Sequence, residues 1–435
     1  MNRSLKIFAI TLAMLFGLGA LVGCDVPIDS FPSNEVFAKR WELTESIEMD
    51  QPVEDSEVLL EELFGTPNEP RWPEFLQTSE NLITLKSLER AAGAFSSEED
   101  DEHRGLFREH CVVCHGIAGN GRGPSAALLD PYPRDFRMGK FKFKATPLGK
   151  KPTREDLKQV LLRGIAGTSM PSFQLLDPAD IESLVDYLIY LSVRGELERK
   201  VLADAAIELD LEDGERLYDP TLKNRFPEEF EGLIGRIERW GTEIYAKWLE
   251  ADNNTIEVVG PPEGFPLLGS GADEQAVAAS VANGKKIFQG TVASCAFCHG
   301  KEAKGDGQRN NFDAWTRDWT SLAGLNPKDQ KELRPMLELG ALKPRNILPR
   351  NLTLGIFHGG SSPEELYTRV KHGIEGTNMP AVPMKPDNPQ GLSNEEVWDL
   401  VNYLRSFLPP EKQALESDDA LLSAPQSGNK EVASK

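Results

Sequence analysis

Apolar and polar positions divide the chain into stretches of different character. Residues 7 to 21 form an apolar run behind Arg3 and Lys6. At 15 residues the run falls short of the roughly 20 that cross a bilayer, so it predicts a cleaved export leader rather than a span. No other segment is long and apolar enough to span. Residues 25 to 110 hold 22 acids, 7 bases and Pro-rich patches, which predicts a partly extended spacer with short helices at best. Thr153-Arg154-Glu155-Asp156 and Ser362-Pro363-Glu364-Glu365 read as helix starts, each with a hydroxyl cap and an acid three residues on. Leu184-Val185-Asp186-Tyr187-Leu188 and Leu400-Val401-Asn402-Tyr403-Leu404 read as a matching pair of later helices. Between them Leu233, Ile237, Trp240, Ile244 and Trp248 recur at helical spacing, predicting a connecting helix that packs one domain on the other. Residues 411 to 435 are polar and predicted to be disordered.

Length and composition narrow the classes. A chain of 435 residues exceeds one ordinary core, so two or more domains are expected. With 40% hydrophobic and 27% charged residues the composition is that of a soluble globular protein, not of a polytopic membrane protein. Lys plus Arg number 48 against 69 Asp plus Glu, a net charge of −21. That balance repels a phosphate backbone, so nucleic acid is not an expected partner.

Five cysteines are too few for a disulfide scaffold, and four of them fall in Cys111-Val112-Val113-Cys114-His115 and Cys295-Ala296-Phe297-Cys298-His299. Both read as the C-x-x-C-H of c-type haem attachment: two thiols spaced for the two vinyl groups of one haem, then an imidazole for the iron. A redox dithiol does not need the histidine, and a zinc site needs two ligand pairs brought together. The flanking residues repeat in order as well. Gly105-Leu106-Phe107 and Gly284-Lys285-Lys286-Ile287-Phe288 precede the two sites. Arg163-Gly164-Ile165-Ala166-Gly167-Thr168-Ser169-Met170-Pro171 and His372-Gly373-Ile374-Glu375-Gly376-Thr377-Asn378-Met379-Pro380 follow them, sharing Gly-Ile-x-Gly-Thr-x-Met-Pro. The order of these correspondences indicates a duplication.

Each unit resembles a class I cytochrome c domain, a small all-α fold around one haem. The resemblance covers about 100 residues at 100–195 and about 130 at 280–408. It implies two covalently bound haem c groups held by Cys111 and Cys114 and by Cys295 and Cys298, with His115 and His299 as proximal and Met170 and Met379 as distal iron ligands. It also implies that Gly105 packs against Tyr187, that Gly284 packs against Tyr403, and that a proline soon after the haem motif accepts a hydrogen bond from the proximal histidine. Pro124 fits that place in unit one, whereas Gly305-Asp306-Gly307-Gln308 offers no proline in unit two. The residues Leu21-Val22-Gly23-Cys24 resemble the lipobox of bacterial lipoproteins, which implies a lipid on Cys24. The expected division is therefore a leader at 1–23, an acidic spacer at 24–99, a first domain at 100–195, a helical linker at 196–279, a second domain at 280–408 and a disordered tail at 409–435.

His299 and Met379 are 80 residues apart against 55 for His115 and Met170, so unit two carries an insertion, placed within Asp318 to Ile347. Arg134 and Arg350 recur at matching places as candidates to pair with haem propionates, with solvated surface as the alternative. Met138 and Met384 stand outside the repeated motif, as do His103 and His110; His358 is the rival to Met379 as an iron ligand. Residues 134 to 163 carry ten bases and three acids, read either as a dock for an acidic redox partner or as solvated surface. The expected function is a lipid-anchored, extracytoplasmic dihaem cytochrome that carries single electrons to or from redox proteins and is not itself an enzyme. The alternatives are a haem peroxidase or a fixed subunit of an oxidase or dehydrogenase.

Overall fold

The computed structural model describes residues 29–78, 81–96 and 104–414. The leader, Cys24, His103 and residues 415–435 lie outside these. Helices and loops account for the described residues, with two isolated bridges and no strand among them. The all-α expectation holds, and no described helix is long and apolar enough to cross a membrane.

The two units repeat one plan. In unit one the helices Leu106–His110, Val112–His115, Arg154–Arg163 and Pro178–Glu208 follow one another; in unit two Glu274–Gln289, Cys295–His299, Pro363–His372 and Asn394–Arg405 do the same. Both expected capping boxes are present, Thr153 with Asp156 and Ser362 with Glu365. A third, Ser393 with Glu396, starts the last helix of unit two. In unit two Glu274–Gln289 lies directly on Asn394–Arg405, because Gly284 has no side chain: a Cβ there would overlap the Asp399 carbonyl oxygen and press on Tyr403. Buried Ser280 and exposed Asn283 hydrogen-bond the Asp399 carboxylate, while Asn402 Nδ2 reaches Ser280 Oγ at 2.8 Å. Unit one departs from the implied packing. Gly105 caps its short helix with φ +62° and faces the backbone of Ala94 and Phe95, not Tyr187. Phe107 instead meets Tyr187 with ring centroids 5.0 Å apart, as Phe288 meets Tyr403 at 5.3 Å.

Residues assigned to spacer and linker build a second layer around unit one. Glu35–Glu45 and Asp50–Phe64 form helices rather than an extended spacer, burying Val36, Phe37, Leu59, Leu60 and Phe64. Their target is the 31-residue helix Pro178–Glu208, which at 1.5 Å per residue runs about 46 Å and continues past the expected boundary at 195. Tyr190 donates its hydroxyl to Phe64 O at 2.6 Å, and the Asn34 N–H donates to Glu198 at 2.8 Å. Local charge and proline content signalled a loose segment, but its apolar positions match the uncovered faces of a long helix, and burial outweighs the charge. The stripe Ile237, Trp240, Ile244 and Trp248 is buried on one face of Pro227–Leu249. That helix joins the core of unit one, with Phe64, Leu76 and Tyr190, and does not bridge to unit two. Residues 411–414 are also held, since Arg405 Nη2 donates to Gln413 O at 2.7 Å.

The extra chain of unit two lies upstream of Arg350 and starts before the expected Asp318, since it carries the helix Ala314–Trp319 as well as Arg334–Glu338. Trp319, Ala323, Leu333, Met336 and Ala341 form a small core with Val36 of the N-terminal segment. Asp318 receives Arg199 and Arg40 at 2.8 and 3.1 Å. Arg345 donates to the carbonyls of Leu129 and Ala127 in unit one. The insertion is thus the tie between the N-terminal layer and the two units.

Candidate functional site

Each C-x-x-C-H run forms a single helical turn, stopped by a glycine with positive φ, Gly116 at +71° and Gly300 at +76°. One turn brings both thiols to the same side as the histidine that follows. The four cysteines are free. Burial pushes the Cys111 thiol up to about 12 and Cys295 up to about 11, each raised further by its neighbouring thiol. A redox dithiol depends on the opposite shift, toward the thiolate. Among the described residues no three His, Cys, Asp or Glu side chains converge as a cluster able to hold a metal ion.

The histidines of the two C-x-x-C-H runs are oriented alike. His115 Nδ1 lies 3.1 Å from Arg134 O, and His299 Nδ1 lies 3.0 Å from Arg350 O. A carbonyl can only accept, so each Nδ1 carries the hydrogen and each Nε2 keeps its lone pair for a metal. Burial lowers His115 to about 4, and the bond to the Arg134 carbonyl only partly opposes this. The neutral ring is the form that ligates. The acceptor is therefore not Pro124. Unit two lacks the proline without lacking the hydrogen bond, because the carbonyl of the matched arginine serves in both units, 19 residues along in one and 51 in the other.

The methionine loops are copies down to their hydrogen bonds. Thr168 Oγ1 donates to Ile165 O at 2.8 Å and accepts from Met170 N at 3.1 Å; Thr377 Oγ1 does the same with Ile374 O at 2.8 Å and Met379 N at 3.0 Å. Gly164, Gly167, Gly373 and Gly376 all have φ between +65° and +76°, which explains why the shared motif spends two glycines before each methionine. Each set thus comprises two thiols, an imidazole with a free Nε2 and a half-buried thioether, which fits a covalently attached haem with His and Met ligands.

The arginines that matched in sequence meet at the seam between the units. The Arg134 guanidinium lies 3.4 Å over the Trp315 ring, and Arg350 Nη2 donates to His358 Nδ1 at 2.8 Å. Lys142 Nζ lies 5.7 Å from the Trp315 ring centroid. Desolvation lowers Arg134 to about 10 and Lys142 to about 7. The Asp135 and Asp313 carboxylates act on Arg134, and Asp313 on Lys142, without outweighing their desolvation, and His358 Nε2 is buried without a hydrogen-bond partner. Such a cationic cluster fits anionic groups. His358 is occupied with Arg350 and with Phe143, ring centroids 6.4 Å apart, so it is engaged at this seam. His110 packs on Phe173, Met138 ends a short turn, and Met384 packs against the core of unit two.

The basic run at 134–163 forms no open face. Arg137, Lys144, Lys151, Arg154, Lys158 and Arg163 each pair with a carboxylate, two of them across the seam to Glu375 and Glu365. Sequence reading missed Trp315, which lies in the insertion and has no counterpart in unit one to flag it.

A helical protein with two like units, each joining a C-x-x-C-H turn to a methionine loop, defines the class of c-type cytochromes. The family described as cytochrome C oxidase, cbb3-type, subunit III matches residues 98–188 and 279–404. Cytochrome c55X of Paracoccus denitrificans (strain Pd 1222) is 33% identical over 112 residues, which are 25% of this chain and 89% of that protein. A chain of the Kuenenia stuttgartiensis reducing HAO-like protein complex Kustc0457/Kustc0458 aligns over 73% of this chain and 100% of its own, with 23% identity and a TM-score of 0.43, a likeness too loose to carry an argument. The chain belongs to the cytochrome c family, whose domains hold covalently bound haem c.

Proposed function

We propose that the chain is a dihaem cytochrome c, lipid-anchored through Cys24 outside the cytoplasm, that passes single electrons between redox proteins. The observation that carries this reading is the identity of the two donor sets: the same thiol pair, the same His–Arg carbonyl bond and the same Thr-braced methionine loop. When bound, haem c supplies a one-electron couple between ferric and ferrous iron. The chain's residues hold that couple in place. Cys111, Cys114, Cys295 and Cys298 would tether the group, His115 and His299 would ligate it through Nε2, and Met170 and Met379 would supply a thioether to it. A group held by both the imidazole and the thioether of its unit would offer no position for a substrate, which favours a carrier over a peroxidase. Arg134 and Arg350 supply positive charge for the propionates.

The intact mass of the mature chain tests this directly: two haems and a lipid are expected, and a single haem sinks it. Reduced protein is expected to bind carbon monoxide poorly until Met170 or Met379 is replaced by Ala. A second reading, a fixed subunit of an oxidase, is favoured by the description of the matched family. Stoichiometric recovery with a membrane complex after mild solubilisation would select it over a free carrier.

A further inference from the structure

The insertion of unit two places one side chain between the binding residues of both units. Trp315 Nε1 donates to Asp135 O at 3.1 Å, and its ring lies under the Arg134 guanidinium at 3.4 Å. The carbonyl of that same Arg134 accepts from His115. The other edge of the indole fills the space over Gly376, where any Cβ would run into it. Ala314 N donates to Gly376 O at 2.9 Å, and the Asp313 carboxylate caps this turn from Thr316 N at 2.9 Å. Gly376 belongs to the loop in which Thr377 holds Met379. A continuous series of contacts therefore runs from His115 through Arg134, Trp315 and Gly376 to Met379.

The opposite corner of the seam mirrors it. A Cβ on Gly167, in the Met170 loop, would lie 3.4 Å from Arg350 Nη1 and 3.6 Å from His358 Nε2. Each unit's arginine thus binds its own proximal histidine through the backbone and approaches the other unit's methionine loop through its side chain. At the Trp315 corner the gap is filled by an indole that the extra chain of unit two supplies, whereas at the other corner Ile356 stands nearest Gly167, with Arg350 and His358 behind it.

We propose that Trp315 is a positioning residue that couples the two redox sites, fixing the Met379 loop of unit two and the environment of Arg134 in unit one with one side chain. The proposal rests on the reading that both units hold haem. Its energetic basis is a half-buried cation–π pair and a hydrogen bond at the same ring, interactions that strengthen as water is excluded. Asp135, Lys142 and Asp313 are the other charged groups around the pair, and Lys142 approaches the same ring only at 5.7 Å against 3.4 Å for Arg134.

The experiment compares full-length haem-loaded Trp315→Ala and Trp315→Phe with the unsubstituted chain by redox titration, by carbon monoxide binding to the reduced protein and by the ferric methionine charge-transfer band. Trp315→Ala frees the Met379 loop, so carbon monoxide binding at unit two is expected to rise about tenfold. It also opens Arg134 to water, whose screening is expected to lower the potential of unit one. Trp315→Phe keeps the stack and loses the Nε1–H, so it is expected to shift both readouts in the same directions by less. If Trp315→Ala does not fold, the Phe variant still decides. Arg345→Ala, which cuts the insertion's contacts with Leu129, Ala127 and Tyr132, is expected to change neither readout. No change, or a change confined to one unit, in a folded Trp315 variant overturns the proposal. An intact mass with one haem instead overturns the two-haem reading on which it rests, so the two failures are distinguishable.

Discussion

Unit one and unit two hold the same donor arrangement in different surroundings. Around unit one the N-terminal helices, the long helix Pro178–Glu208 and the helix Pro227–Leu249 form one extended core. Unit two relies on a smaller core between Glu274–Gln289 and Asn394–Arg405, closed by Gly284. Yet the His–Arg carbonyl bond differs by only 0.1 Å between them. The local arrangement thus tolerates both a 31-residue helix on one side and an inserted segment on the other. What differs is how much protein stands behind each site when its cofactor is absent.

The sharpest way to break this comparison is to remove each attachment in turn. Replacing Cys295 and Cys298 by Ala is expected to leave residues 280–408 open to proteolysis, whereas replacing Cys111 and Cys114 should leave the Pro178–Glu208 helix protected. Equal protection of both units, read from the fragments, would show that the extra layer around unit one adds nothing to its independence.

Next in size, Gly284→Ala forces a methyl group against the Asp399 carbonyl and is expected to cost unit two about 1–3 kcal/mol. Calorimetry would show the transition of unit two moving alone. A joint shift of both transitions would mean that the seam makes the chain a single cooperative body.

A smaller effect is expected from acid. Burial first, then Arg350, Lys142 and Arg369, lower His358 to about 4 from 6.5. As pH falls from about 6.5 toward 4 the unfolded chain takes up a proton that the folded one refuses, so this contribution to stability is complete above that window and shrinks within it. Urea midpoints at pH 7 and pH 5 are expected to diverge less for His358→Gln than for the unsubstituted chain. An identical divergence would place the titration elsewhere.

The smallest difference concerns the potentials. Ten bases against three acids at 134–163 suggested a positive field that disfavours the ferric state in unit one. Six of those bases are neutralised by ion pairs, leaving Lys140 and Lys150 together with Arg134 and Lys142 at the seam. Unit one is still expected to be the higher, by a narrow margin. Single-haem variants titrated separately would reverse the assignment if unit two came out above it.

Features that act within a few residues were readable in advance. The C-x-x-C-H turns, the capping hydroxyls of Thr153 and Ser362, and the two-glycine methionine loops all work through hydrogen bonds between near neighbours, so residue type and spacing were enough to place them. The all-α class followed from the family those residues resemble. The partners that meet across long separations were not readable. Charge count took residues 24–99 for a spacer because it cannot see which helix face their apolar positions will cover. Periodicity found the stripe from Ile237 to Trp248 but not the core it joins. The acceptor for His299 stands 51 residues away and is a backbone carbonyl, a group that every residue carries and no letter distinguishes. Trp315 looks like any tryptophan in an insertion until the fold sets it on Gly376 and under Arg134. The chemistry at each site was determined by local sequence; how the two sites face each other was decided only by tertiary packing, because contacts between distant segments depend on shape and burial that no short motif encodes.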